Sequence, residues 1–140
     1  MLNLMFTQLA FFALLALPFI AANKQTVGIE GKLTCNGKPY SGAKIKLYDH
    51  DTLTMDDKLG ETQTDNTGYF KLIGTGSEVS RLNVKFNVYH RCGKTLPVCY
   101  YKYSWAVPQS YVSSGTYPQK MFNAQTIELS LLEKHRDCLN

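Results

Sequence analysis

The chain has 140 residues, a formal net charge of +4 and 44% hydrophobic residues, which is enough sequence for one domain with a single hydrophobic core. A surplus of four positive charges is too small to indicate a nucleic-acid-binding protein, since such proteins usually carry a strongly basic stripe or a recognised motif. We therefore expect no nucleic-acid partner.

Residues 4–20 are almost entirely apolar and uncharged, and they are followed by Ala21 and Ala22. This pattern is typical of a secretory signal peptide with a small-residue cleavage site. A membrane anchor is the alternative, because the run approaches the roughly 20 residues that a spanning helix needs. Pro18 and the small residues after it favour cleavage. We predict a signal peptide over residues 1–22 and a secreted, extracellular domain over residues 23–140 that does not span a membrane.

Apolar and polar residues alternate with period two along most of this domain, which is the pattern of β-strands with one buried face. Residues 131–137 alone suggest a helical turn. About seven to eight short strands separated by turns predict an all-β protein, a β-sandwich of two antiparallel sheets. The predicted strands lie at residues 27–35, 43–48, 59–65, 70–73, 82–92, 98–107 and 127–131.

Six short segments carry a family resemblance, and they are spread over nearly the whole predicted domain. They are residues 27–35, 46–49, 64–70, 88–92, 107–115 and 126–130. These segments resemble the nematode transthyretin-like proteins. The resemblance implies a transthyretin-like (prealbumin-like) sandwich of two four-stranded sheets, secreted and without enzyme activity or cofactor. Some members of the family are thought to bind phosphatidylserine and to bridge dying cells to engulfing cells.

The leading hypothesis is therefore a secreted, non-enzymatic binding or bridging protein. Two other functions stay open: an extracellular carrier of a small hydrophobic ligand, and an enzyme similar to the hydroxyisourate hydrolases. Those related hydrolases end in a Tyr-Arg-Gly-Ser tail that carries catalytic residues, whereas this chain ends in His-Arg-Asp-Cys-Leu-Asn. The hydrolase is accordingly the less favoured alternative, and we predict no catalytic residue.

Four cysteines follow the predicted leader: Cys35, Cys92, Cys99 and Cys138. An even number in a short secreted chain predicts a disulfide framework, although four cysteines allow three connectivities. Cys92 and Cys99 flank a short link and fall on inward-facing positions of adjoining strands, so we predict a Cys92–Cys99 bridge and, by elimination, Cys35–Cys138. A zinc site is disfavoured, because Cys-x-x-Cys spacing is missing and extracellular thiols are oxidised.

Two further groups of polar residues are weighed as sites. His90 falls on an inward-facing position, and without a nucleophile in a recognisable frame nearby, a core histidine with satisfied ring nitrogens is the favoured interpretation. Six of the eleven acidic residues cluster within residues 49–65, but their spacing does not match an EF-hand, so a solvated acidic loop is favoured over a calcium site. We predict no metal site. The six acidic residues are Asp49, Asp51, Asp56, Asp57, Glu61 and Asp65.

Outward-facing positions of three predicted strands carry cations and tyrosines. In the arrangement that the resemblance implies, these strands are neighbours in one sheet, so five basic residues and three tyrosines share one exterior face. Such a face suits an anionic lipid head group or an acidic cell-surface partner. Lysines and tyrosines are also ordinary cross-strand pairs on sheet exteriors. The eight residues are Lys44, Lys46, Tyr48, Lys85, Tyr89, Arg91, Tyr100 and Lys102.

Overall fold

A computed structural model describes residues 22–139. The predicted leader, residues 1–22, lies outside the described residues except for Ala22. The described part contains ten β-strands and two short 3-10 turns, at Gln109–Tyr111 and Leu129–Leu131. Within it, no helix is long and apolar enough to cross a membrane. The strands are β1 Asn23–Cys35, β2 Lys38–Pro39, β3 Lys44–Asp49, β4 Asp57–Gln63, β5 Tyr69–Glu78, β6 Val84–His90, β7 Tyr100–Ala106, β8 Ser113–Ser114, β9 Met121–Glu128 and β10 His135–Asp137.

The strands form two five-stranded sheets, which confirms the predicted all-β sandwich. In sheet A the long strand β1 pairs with β2, β5, β8 and β9. Sheet B has the order β10-β7-β6-β3-β4. All pairs are antiparallel except β1 with β9, which run parallel. Alternation reports which face of a strand is buried but not which strand it pairs with, so neither the fifth strand of each sheet nor the parallel pair was predicted.

The core lies between the two sheets and consists mainly of alternate residues of the strands. Val27, Ile29 and Leu33 of β1 are completely buried, as are the inward-facing residues of β3 and β6. Phe70 of β5 and Phe86 of β6 connect the sheets, with ring centroids 6.4 Å apart. Each such side chain contributes roughly 1.5–3 kcal/mol on burial, so the sheets are held face to face mainly by these contacts.

The predicted disulfide connectivity is wrong: the bridges are Cys35–Cys92 and Cys99–Cys138. His90 and Tyr101 are the last paired residues of the β6–β7 ladder, and extending that register would place Cys92 opposite Cys99. Cys99, however, has a φ of 58°, and this left-handed conformation breaks the alternation from which its direction was predicted. The predicted Cys92–Cys99 and Cys35–Cys138 pairs are therefore both absent.

Each observed bridge fastens a different part of the sandwich. Cys92 is almost fully buried and joins the end of β6 to Cys35 at the end of β1, so this bridge links sheet B to sheet A. Cys99 and Cys138 join the start of β7 to the residue after β10. This second bridge lies within sheet B and pins its edge strand.

The C-terminal region also differs from the prediction. Strand β9 ends at Glu128, and a 3-10 turn follows where a continuous strand to residue 131 was predicted. Leu131, the last residue of that predicted strand, is 84% exposed. Residues 135–137 form strand β10 rather than a helical turn, because they pair with residues 100–102 of β7. A three-residue ladder at a sheet edge leaves no periodicity that sequence reasoning can detect.

Candidate functional site

The eight predicted face residues lie on β3, β6 and β7 or directly beside them, and these three strands are neighbours in sheet B. Lys44 is opposite Tyr89, which is opposite Lys102. Tyr48 is opposite Lys85, while Arg91 and Tyr100 lie at the end of the β6–β7 ladder. The inward-facing residues between them are buried in the core, so these side chains share the outer face of sheet B, which we call the basic face.

Four of the five cations of the basic face lie over its aromatic rings. The Lys46 ammonium is 5.1 Å and the Lys102 ammonium 5.9 Å from the centre of the Tyr89 ring. The Arg91 guanidinium lies 4.0 Å from the centre of the Tyr100 ring, and the Lys44 ammonium 5.5 Å from it. Each of these two rings thus serves two cations, and each contact contributes about 0.5–1 kcal/mol when exposed.

The stacking of cations over tyrosine rings buries two of the predicted residues. Lys46 is only 9% exposed and Tyr89 only 3% exposed, although both point away from the core. Burial raises the pKa of Tyr89 to about 12, so its hydroxyl stays protonated at physiological pH. Neighbouring long side chains cover outward-facing positions in the middle of a sheet, an effect that period-two alternation does not report. The accessible part of the basic face therefore consists of Lys44, Lys85 and other half-buried side chains.

Two carboxylates approach the basic face from the strands that flank it. Glu61 of β4 is opposite Lys46, and a hydrogen bond from Lys58 is the main cause of its lowered pKa, to which Lys46 also contributes. Asp137 of β10 lies 3.8 Å from the Lys102 ammonium. The five cations of the face outnumber these two carboxylates, so an anionic partner still meets a positive surface.

Three more cations lie around Tyr101, on the opposite side of sheet B from the basic face. The Lys94 and Lys134 ammonium groups lie 4.6 and 5.8 Å from the centre of the Tyr101 ring. Arg136 lies with one guanidinium nitrogen 3.6 Å from the sulfur of Cys99. Sequence reasoning missed them because residues 94, 134 and 136 meet only when the Cys99–Cys138 bridge brings β10 to β7.

His90 makes the contacts of a core residue. It is 3% exposed, and its Nδ1 accepts a hydrogen bond from the Cys92 N–H at 3.1 Å. Its ring packs between Tyr40 and Tyr101. Burial lowers the pKa of His90 to about 4, so the ring is neutral at physiological pH. An acceptor at Nδ1 leaves the ring proton on Nε2.

The acidic residues of the predicted loop make separate contacts in different parts of the structure. Asp65 caps its turn by accepting hydrogen bonds from the Thr67 and Tyr69 N–H groups. Asp49 is buried at the end of β3, where it accepts a bond from the Asn83 N–H at 2.8 Å. Carboxylate oxygens of Asp49, Asp51 and Glu78 come within 4.8 Å of one another. Burial, followed by the charges of the other two, raises the pKa of Glu78; convergence of acids alone does not define a metal site.

The chain is similar to known proteins over most of its length. A family model described as TTR-52, transthyretin-like family, matches residues 30–108. Transthyretin-like protein 33 of Caenorhabditis elegans is 40% identical, with 92% of this chain and 92% of that protein covered. Transthyretin-like protein 5 of the same organism is 36% identical, covering 86% of this chain and 89% of its own length. This chain belongs to the transthyretin-like family.

A 9R-lipoxygenase from Cyanothece shows a weaker structural likeness. Its TM-score is 0.42 at 22% identity, and the match covers 81% of this chain but only 17% of the lipoxygenase. A likeness at this level carries no argument about function.

Proposed function

We propose that this protein is an extracellular, non-enzymatic binding protein whose basic face docks on an anionic lipid surface. The observation that carries the proposal is the gathering of five cations on or directly beside three adjacent strands of sheet B. Both pairs of cysteines are oxidised, which is typical of proteins outside the reducing cytosol. Membership of the transthyretin-like family is consistent with this location.

The shape of the face favours a surface over a single enclosed ligand. Strands in a sheet lie about 4.8 Å apart, so the half-buried cations form a flat array that contacts several head groups at once. A lysine or arginine near an anionic membrane contributes about 1 kcal/mol. The tyrosine rings beneath these cations hold the long side chains in place. Binding therefore pays a smaller entropic cost for ordering those side chains.

Vesicle binding tests the proposal. Replacing Lys44, Lys85 and Lys102 by Gln should weaken binding to vesicles containing about 30 mol % phosphatidylserine on the order of 100-fold at low salt, since three contacts of about 1 kcal/mol are lost. The measurement is co-sedimentation with these vesicles, and vesicles of phosphatidylcholine alone serve as the uncharged control.

A matched control removes the same charge from the opposite sheet. Lys24, Lys32 and Lys71 are exposed on sheet A, and their replacement by Gln should leave vesicle binding nearly unchanged. Equal losses in the two triple variants would show attraction by net charge alone and would overturn the proposal. Unchanged binding in the Lys44, Lys85, Lys102 variant, with its fold intact, would overturn it as well.

The two alternative functions have less support. The three cavities described, of about 290, 410 and 290 Å³, are each lined in part by charged side chains, whereas a carrier of hydrophobic molecules needs an apolar cavity. His90, the histidine that faces the core, is 3% exposed. A buried histidine of this kind is not accessible to a substrate as a general acid or base. Turnover of hydroxyisourate by the purified protein would contradict the non-enzymatic part of the proposal.

A further inference from the structure

The outer face of sheet A, on the side of the molecule opposite the basic face, carries a polar cleft of about 290 Å³. It lies across β1, β5 and β9, and its walls come from all three strands. Glu30 and Lys32 of β1 form one part, Tyr69 of β5 another, and Asn123, Gln125 and Thr126 of β9 the third. None of these residues belongs to the basic face.

A β-bulge shapes the cleft. Glu30 pairs with Asn123 and Lys32 with Thr126, so Gly31 of β1 faces two residues of β9, Ala124 and Gln125. Gln125 has a φ of 62°, a left-handed conformation that residues with a side chain adopt at an energetic cost. The Asn123 side-chain oxygen accepts a hydrogen bond from the Gln125 N–H at 2.8 Å and holds this turn of the backbone. Bulges that re-aim side chains are common beside binding and active sites.

The opposite wall is held by a hydrogen bond across the sheet. The Tyr69 hydroxyl donates to a carboxylate oxygen of Glu30 at 3.0 Å, and this bond raises the pKa of Tyr69. The Tyr69 side chain is 38% exposed. The cleft therefore has one aromatic wall and one carboxylate in fixed relative positions.

The chemistry of the lining indicates which ligand fits. The Glu30 carboxylate and the Lys32 ammonium balance each other in charge, which disfavours phosphate and other simple anions. The lining also supplies amide and hydroxyl groups, each of which both donates and accepts hydrogen bonds. A hydroxyl-rich neutral molecule with an apolar face matches this set, because an aromatic ring packs against C–H groups while the polar groups meet the hydroxyls.

We propose that this cleft binds a saccharide unit of an extracellular glycan, with Tyr69 packing against the sugar ring and Glu30, Asn123 and Gln125 bonding its hydroxyls. The site is independent of the basic face, so the protein would have one binding surface on each sheet. Each surface can fail its test without affecting the other.

Titration of the isotope-labelled, disulfide-intact protein with methyl glycosides of glucose, galactose, mannose and N-acetylglucosamine tests the proposal. At least one of these probes should shift the amide NMR signals of residues 30–32, 69 and 123–126, with a dissociation constant in the millimolar range that is usual for a small open site. Absence of shifts with all four probes, or shifts confined to another region, would overturn the proposal.

Three variants and a control sharpen the test. Gln125→Gly removes the amide and suits the positive φ, so the protein should keep or gain thermal stability while binding weakens about fivefold or more. Tyr69→Ala should abolish the shifts, and Tyr69→Phe, which keeps the ring, should retain part of the binding. Lys24→Gln, on β1 outside the cleft, should leave binding unchanged. Unaltered affinity in both Gln125→Gly and Tyr69→Ala contradicts the assignment.

Discussion

Single side chains in this protein hold the ends of strands in place, and Glu128 shows how. Its carboxylate accepts hydrogen bonds from the N–H groups of Asn36, Gly37 and Ser130, at 3.0, 2.6 and 2.9 Å. The Ser130 hydroxyl and then the Gly37 N–H are the main causes of a pKa lowered to about 2. One carboxylate at the end of β9 thus fastens the turn between β1 and β2. The sequence shows a turn at residues 36–39, but not the acid that fastens it from more than 90 residues away.

At the same scale, His90 should make stability depend on pH. Its pKa is about 4 in the folded chain, against 6.5 without burial. Above pH 6.5 the ring is neutral in both states, and as pH falls towards 4 only the unfolded chain gains the proton. The free energy of unfolding should therefore fall by roughly 3 kcal/mol across this range and level off below it.

Denaturant unfolding from pH 4 to pH 7 measures this effect, with His90→Asn as the comparison. Asn keeps an oxygen that can accept from the Cys92 N–H but does not titrate, so the variant should lose most of the slope contributed by His90. Its absolute stability is expected to be lower because the smaller side chain leaves a cavity. An equal slope in the two proteins would show that other groups cause the pH dependence.

At the scale of elements, the two disulfides close loops of similar length but lie in different surroundings. Their sequence separations are 57 and 39 residues, and the chain-entropy relation gives about 4 kcal/mol for each. Cys92, however, belongs to the core between the sheets, whereas Cys138 is exposed beside a three-residue edge strand. We therefore expect removal of the two bridges to have different structural consequences.

The comparison uses two double variants. Cys35→Ala with Cys92→Ala should lower the global free energy of unfolding by about 4 kcal/mol or more, because the link between the sheets is lost. Cys99→Ser with Cys138→Ser should leave sheet pairing intact while β10 and the facing amides of β7 lose protection from hydrogen exchange, since a short exposed ladder opens locally. Exchange spread over both sheets in the second variant would contradict this assignment.

At the scale of the whole molecule, the two sheets approach closely where β5 crosses sheet B, because glycine occupies the contact. A methyl group at Gly74 would lie 2.8 Å from both Leu47 Cδ2 and Leu59 Cβ. Leu47 belongs to β3 and Leu59 to β4, so the missing side chain at Gly74 lets sheet A settle onto two strands of sheet B.

Gly74→Ala tests this close approach. The added methyl group should lower the free energy of unfolding by about 1–3 kcal/mol, because neighbouring side chains and backbone must shift. Ser77→Ala on the same strand is exposed and should change stability by less than about 0.5 kcal/mol. Denaturant unfolding measures both. Equal stability of the two variants would show that the sheets adjust without cost at this position.

The sequence by itself determined the fold class, the inward-facing core and the three strands that carry the basic face. These follow from period-two alternation, a local property that burial of one strand face imposes on neighbouring residues. Family resemblance then placed those strands as neighbours in one sheet, and the β3–β6 and β6–β7 pairs agree with it.

Only the tertiary structure decided the disulfide pairs, the parallel β1–β9 pairing, the burial of Lys46 and the polar cleft at the β9 bulge. Each depends on contacts between residues far apart in the chain or on one backbone angle, such as the φ of 58° at Cys99 or 62° at Gln125. Alternation carries no information about either, because a left-handed residue turns a side chain without changing the hydrophobic pattern around it.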